Sequence, residues 1–179
     1  MATALHRTTK QYLASVNTPD YPIETWIINP DLSAVAGVVV EYWKITGDVV
    51  TEMSSAEKDA AELPSVKNAK CAAIDTRTAE LIDQGFSYSS KTFSLSLASQ
   101  SMLEGSYPVK NHVSLTYPIV WNTIDDLDTI SLADATDLEN FYLTALGTFR
   151  ARRDSGTTLK DQVRAASTIA AVDAVVDSR

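Results

Sequence analysis

At 179 residues, with 45% apolar and 21% charged residues, the chain suits one globular domain or one domain with an ordered extension rather than a disordered tail. The 15 Lys and Arg against 23 Asp and Glu give a formal charge of −8, which argues against phosphate-driven nucleic-acid binding and against an acidic membrane surface. Cys71 is the only cysteine, so neither an intrachain disulfide nor a cysteine-rich metal site is available. No run approaches the ~20 apolar residues of a membrane span, and residues 1–16 lack the apolar stretch of a signal peptide. A reducing cytoplasm is the expected place of folding.

Residues 1–37 are poor in helix signals. Val16-Asn17-Thr18-Pro19-Asp20-Tyr21-Pro22 and Asn29-Pro30-Asp31 are turn-forming, and Trp26-Ile27-Ile28 lies between them. Two arrangements fit this stretch. It is an extended arm that finds its partner on another surface, or a strand with loops folded onto its own domain. Next, Val38 to Ile45 and Val49 to Met53 are two β-type runs around Thr46-Gly47-Asp48, which reads as a hairpin. Ser54 and Glu57 then stand at the spacing of a capping box, in which each side chain satisfies a free N–H of a helix's first turn. Pro64 is expected to break that helix near Leu63. A second helical stretch, Val66 to Asp83, should stop at Gly85. Its stripe of Cys71, Ile74, Thr78 and Leu81 suits either a short coiled-coil seam or a helix packed on its own domain.

Phe86 to Ser96 alternates apolar residues with Ser and Thr, as a hairpin turning near Ser90 would. A short helix over Ala98–Leu103 should end before Gly105 and Pro108. Val113 to Thr123 reads as a strand, with Pro118 placing it at an edge or a bulge. Ser131 and Asp134 form a second capping-type pair, and Leu138, Phe141, Tyr142, Ala145 and Phe149 make one apolar helical face. Acidic residues Asp134, Asp137 and Glu139 at the start of this helix, and Arg150, Arg152 and Arg153 at its expected end, complement the helix dipole. Asp154-Ser155-Gly156 should interrupt it. Leu159–Ala166 and Thr168–Val176, the latter capped by Ser167, complete a helical terminus.

Chemistry is sparse. His6 and His112 lie outside any metal-ligand spacing, and Gly85-Phe86-Ser87-Tyr88-Ser89 lacks the second glycine of a nucleophile elbow. No phosphate-cradling or dinucleotide-binding glycine motif is present. Asp125, Asp126 and Asp128 are the one polar cluster that could attract a cation such as Ca²⁺, yet they lack the spacing of a calcium loop, and a solvated acidic turn is the simpler expectation. No catalytic, cofactor-binding or metal-binding residue is assigned, and no enzyme activity is expected.

Tyr42-Trp43-Lys44, with Gly47-Asp48, Val50, Glu52-Met53 and Ala56-Glu57-Lys58 after it and Val16–Pro22 and Asn29–Val35 before it, resembles small structural or tail-fibre-type proteins of tailed bacteriophages. Phe86, Thr92-Phe93-Ser94, the Trp121 strand, Ser131-Leu132 and the closing helices resemble a domain of unknown function common at the C-terminus of phage tail-fibre-like proteins. The resemblance implies a virion component of the tail or its attachment region, made in the host bacterial cytoplasm. It would be a short tail fibre, an adaptor, or a tail or neck accessory protein. Its implied partners are other phage virion proteins and further copies of itself, with a homotrimer favoured, while a host surface receptor is a further candidate. The alternative is a tail-fibre assembly chaperone that is not retained in the particle. A small carbohydrate-processing enzyme ranks last.

The expected fold class is α+β. The expected segments are an N-terminal extended arm and hairpin for virion docking over residues 1–53, a helical connector over 54–84, and a C-terminal domain over 85–179 with a small β-sheet covered by helices. Self-association is expected through the connector, where Ala69, Ala72, Ala73 and Ala79 would let helices approach closely.

Overall fold

In the structure, a computed structural model that describes residues 2–179, the pattern of alternating strands and amphipathic helices yields an α+β fold. It divides into two compact units, one ending at Pro64 and the other running from Ser65 to Arg179.

The first unit begins with strands β1 (Ala2–His6), β2 (Tyr12–Val16) and β3 (Trp26–Ile28), which form an antiparallel sheet in the order β2-β1-β3. Leu5 sits opposite both Tyr12 and Ile27, so the central strand is paired on each side. These residues are therefore not an extended arm. The second of the two expected arrangements holds, because strand pairing satisfies the backbone and Leu5 and Ile27 enter a core with Val35, Trp43 and Val50. Met1 lies outside the described residues.

The hairpin of β4 (Trp43–Thr46) and β5 (Val49–Glu52) closes through Gly47-Asp48. Gly47 has φ +61° at the first central position, where a type II′ turn needs a residue free of a Cβ. The first strand is shorter than its β-branched run. Val40–Tyr42 turn as a 3₁₀ helix, and Val38 accepts a hydrogen bond from Trp43 Nε1 at 2.9 Å, which anchors the indole to the chain before the strand starts. Arg7 fixes the hairpin tip. Its guanidinium donates to the Ile23 and Gly47 carbonyls and pairs with Asp48 at 2.5 Å.

Helix α1 (Ser55–Asp83) starts at the expected capping box: Ser54 N–H donates to Glu57 Oε2 at 2.9 Å and Glu57 N–H donates back to Ser54 Oγ at 3.3 Å. Lys44 completes the grip on Glu57, and the two groups together hold its carboxyl down to about 2. Tyr42 donates to Glu62 on the same helix. Pro64 does not break α1. The ring removes one N–H, but Ala60 and Pro64 are exposed, so water can meet the freed carbonyl. Helix α1 occupies the residues of the expected connector over 54–84, and the boundary between the two units falls within it, after Pro64.

The second unit is built on the remainder of α1. Gly85 (φ +73°) ends the helix, with its N–H donating to Ile82, and a side chain there would run into the Phe93 carbonyl. Strands β6 (Phe86–Tyr88) and β7 (Lys91–Phe93) form the hairpin expected near Ser90; Ser89 and Ser90 both have positive φ, 47° and 63°. Helix α2 (Leu97–Ser106) is capped by Ser96 Oγ, which accepts from Ser99 N–H at 3.3 Å.

The expected strand over Val113–Thr123 shrinks to β8 (Ile119–Asn122), because the chain before it turns, with Leu115 N–H donating to the His112 carbonyl at 2.9 Å. It pairs with β9 (Thr129–Leu132), a strand absent from the sequence reading. Ser131 lies within β9 and caps nothing. Asp134 is the cap of helix α3 (Ala135–Ala165), accepting from Thr136 and Asp137 N–H, while Asp137 Oδ2 accepts from Ala133 N–H at 2.9 Å.

Two further expectations are corrected on α3. Asp154-Ser155-Gly156 does not interrupt it, because Gly156 is buried where the helix approaches Thr78 of α1. The arginine cluster is consequently mid-helix and has no dipole role. Arg152 instead donates to the Gly85 carbonyl at 2.5 Å, and Arg153 lies over the Phe149 ring. Helix α4 (Ile169–Asp173) is capped by Thr168, not Ser167. The expected apolar face of α3 is in place: Leu138, Phe141 and Ala145 are buried with Phe86, Phe93, Leu95, Leu103, Trp121 and Leu132, and Tyr142 and Phe149 pack against them.

Candidate functional site

The acidic turn between β8 and β9 is held by its own hydrogen bonds. Asp125 Oδ1 accepts from Thr123 Oγ1 at 2.6 Å and from Leu127 N–H at 3.2 Å, and the Thr123 hydroxyl bond is the main reason its carboxyl titrates below the usual carboxylate range. Asp126 takes φ +57° and accepts from Asn122 Nδ2. Asp128 pairs with Lys91 Nζ at 2.8 Å and accepts from Thr129 N–H, and both contacts lower its pKa, the lysine most. The three carboxylates shape a turn. Among the described residues, no group of three or more His, Cys, Asp or Glu is placed to hold a metal ion.

The histidine rings accept hydrogen bonds from the backbone that follows them. His6 Nδ1 accepts from the N–H groups of Thr8 and Thr9, and its ring meets Trp26 edge-on at 4.8 Å. His112 Nδ1 accepts from Ser114 N–H at 3.1 Å. Cys71 is half-buried on α1. The stripe of Cys71, Ile74, Thr78 and Leu81 is turned inward in the second unit, with Ile74 only 2% exposed, whereas Ala69, Ala72, Ala73 and Ala79 lie on the exposed side of the helix.

An open groove of about 590 Å³ runs between α2 and β8, where Met102, Leu115, Ile119, Val120 and Ile124 stand beside polar Ser94, Ser99, Ser106, Asn122, Thr123 and Asp126. Met102 is 61% exposed, Val120 60% and Leu97, on the same helix as Met102, 80%. Among the described residues, strand β8 pairs with β9 alone, so its other edge carries N–H and C=O groups without a ladder partner there. A groove of mixed polar and apolar lining beside an open strand edge can take an extended segment, whose backbone extends the ladder while alternate side chains enter the groove. This surface escaped the sequence reading. Its one signal is Ile119-Val120-Trp121, apolar on both faces of a strand that has solvent on one side.

Among the described residues, no helix is long and apolar enough to cross a membrane. No family model matches this chain, and neither does any curated protein or solved structure.

Proposed function

We propose that the chain is a non-catalytic structural component of a tailed-phage virion, a short tail fibre, adaptor or accessory protein of the tail, acting through contacts with neighbouring proteins. The resemblance read from Tyr42-Trp43-Lys44 and the motifs around it points to the particle. The observation that carries the mode of action is the α2–β8 groove, where exposed Met102 and Val120 adjoin an open strand edge. Its occupant is an extended segment of a neighbouring virion protein, with apolar residues at alternate positions. Self-association belongs to the same reading, with a trimer favoured by the resemblance and the exposed alanines of α1 as the contact.

The test is quantitative mass spectrometry of purified particles, comparing wild type with Val120→Lys. The reading expects the wild-type chain at a fixed copy number and a sharp loss of incorporation for the variant. Absence from finished particles, with presence in fibre-assembly intermediates, makes the chain an assembly chaperone instead. Normal incorporation of Val120→Lys removes the groove from the account. Light scattering on the isolated chain tests self-association, and a monomer at high concentration contradicts it.

A further inference from the structure

The elements that bound the α2–β8 groove are rich in carboxylates and carry no cation of their own. Helix α2, strand β8 and the turn from Thr123 to Asp128 contain Glu104, Asp125, Asp126 and Asp128, and not one Lys or Arg. Asp128 is neutralised by Lys91 of β7, at 2.8 Å. Among the described residues, Glu104, Asp125 and Asp126 enter no ion pair, and all three are exposed. Asp126 is the one charged residue in the lining of the groove.

Its position is fixed by the turn. Asp126 takes φ +57°, its N–H donates to the Thr123 carbonyl at 3.0 Å, and its Oδ1 accepts from Asn122 Nδ2 at 3.2 Å. The open edge of β8 ends beside this turn, where Ile124 N–H donates to the Thr92 carbonyl at 2.9 Å. An extended segment lying along β8 therefore brings one of its ends to an uncompensated carboxylate. A cleft lined by one sign of charge concentrates the field that a ligand meets.

We propose that the segment seated in the α2–β8 groove is cationic at that end. It carries apolar residues at alternate positions and then a Lys or Arg whose charge meets Asp126, with Asp125 beside it in the turn. This inference rests on the reading of the groove as a docking site and names the charge of the partner, which that reading left open. The chain's formal charge of −8 acts in the same direction, steering a basic partner inward and disfavouring an acidic one.

The experiment uses the full chain and two fluorescent peptides with blocked termini, Lys-Val-Thr-Val-Thr-Val-Lys and Glu-Val-Thr-Val-Thr-Val-Glu, with binding followed by anisotropy at low salt. A charge at each end meets Asp126 whichever way the added strand runs. The Lys peptide should bind at least about fivefold tighter, since an exposed ion pair is worth up to about that factor and the Glu peptide puts a repulsion in its place. Asp126→Asn keeps an acceptor for Asn122 and a residue that tolerates positive φ, and it should bring the two peptides to within about twofold of each other. Val120→Ser removes an apolar contact that both peptides share, and it should weaken both alike. Equal binding of the two peptides, tighter binding of the Glu peptide, or a preference that Asp126→Asn leaves intact overturns the cationic partner, while the groove still stands if Val120→Ser weakens both. Binding of neither peptide, or binding that Val120→Ser leaves unchanged, overturns the groove reading and this inference with it.

Discussion

In the first unit, Leu5, Ile27, Val35, Trp43 and Val50 come from strands and turns spread over almost fifty residues, and the load is shared among them. In the second, the core converges on one ring. Phe141 lies 5.0 Å from Phe86, 4.9 Å from Phe93, 5.2 Å from Tyr88 and 5.5 Å from Trp121, mostly tilted or edge-on. The difference is one of dependence. The first unit stands on non-local strand pairing and on polar ties such as Arg7 to the hairpin tip, while the second stands on a single long helix and its aromatic neighbours.

The largest effect is therefore expected from Phe141→Ala, which should cost about 3–5 kcal/mol and unfold the second unit, as measured by a thermal melt. Leu5→Ala should cost about 3 kcal/mol, with the loss confined to the first unit by hydrogen exchange. If either substitution melts both units together, the separation is wrong. Gly85→Ala comes next, because it forces a positive φ and an overlap with Phe93; a destabilisation of at least ~1–2 kcal/mol is expected in urea unfolding.

Smaller effects sharpen the comparison. In the first unit, the Glu57 carboxyl is held down to about 2, chiefly by Lys44 and then by Ser54. A depressed folded-state pKa adds stability above the unfolded value, near 4.5, and that stability is lost as pH falls toward 2. Glu57→Gln should flatten this part of an acid titration and leave the second unit unchanged. In the second unit, Ser89→Asn with Ser90→Gly supplies residues that tolerate positive φ and should raise stability by up to ~1 kcal/mol. Asp126→Ala should shift the melt by less than ~1 kcal/mol, with no change on adding calcium. A calcium-dependent shift would give the acidic turn a role the structure does not.

What was legible in the sequence was local. The Ser54–Glu57 box, the Gly47-Asp48 and Ser89-Ser90 turns, the Gly85 stop and the Phe141 face all rest on residues within a few positions of one another. The misreadings share the opposite cause. β1 and β3 pair across two prolines, which look like punctuation of an arm until the ladder is seen. β9 is four residues beside an acidic turn, too short to show a period. Pro64 and Gly156 are helix breakers by propensity, but an exposed position excuses the first, and a close helix approach requires the second. The α2–β8 groove left only the Ile119-Val120-Trp121 run as a signal, because no spacing marks which apolar residues are left outside.

Hydrogen exchange on the full chain carrying Phe141→Ala tests most directly whether each unit is held by its own core. Amides of β1, β3, β4 and β5 should keep their wild-type protection while those of β6, β7, β8 and α3 lose theirs. Loss of protection in both sets, to the same extent, would contradict the account.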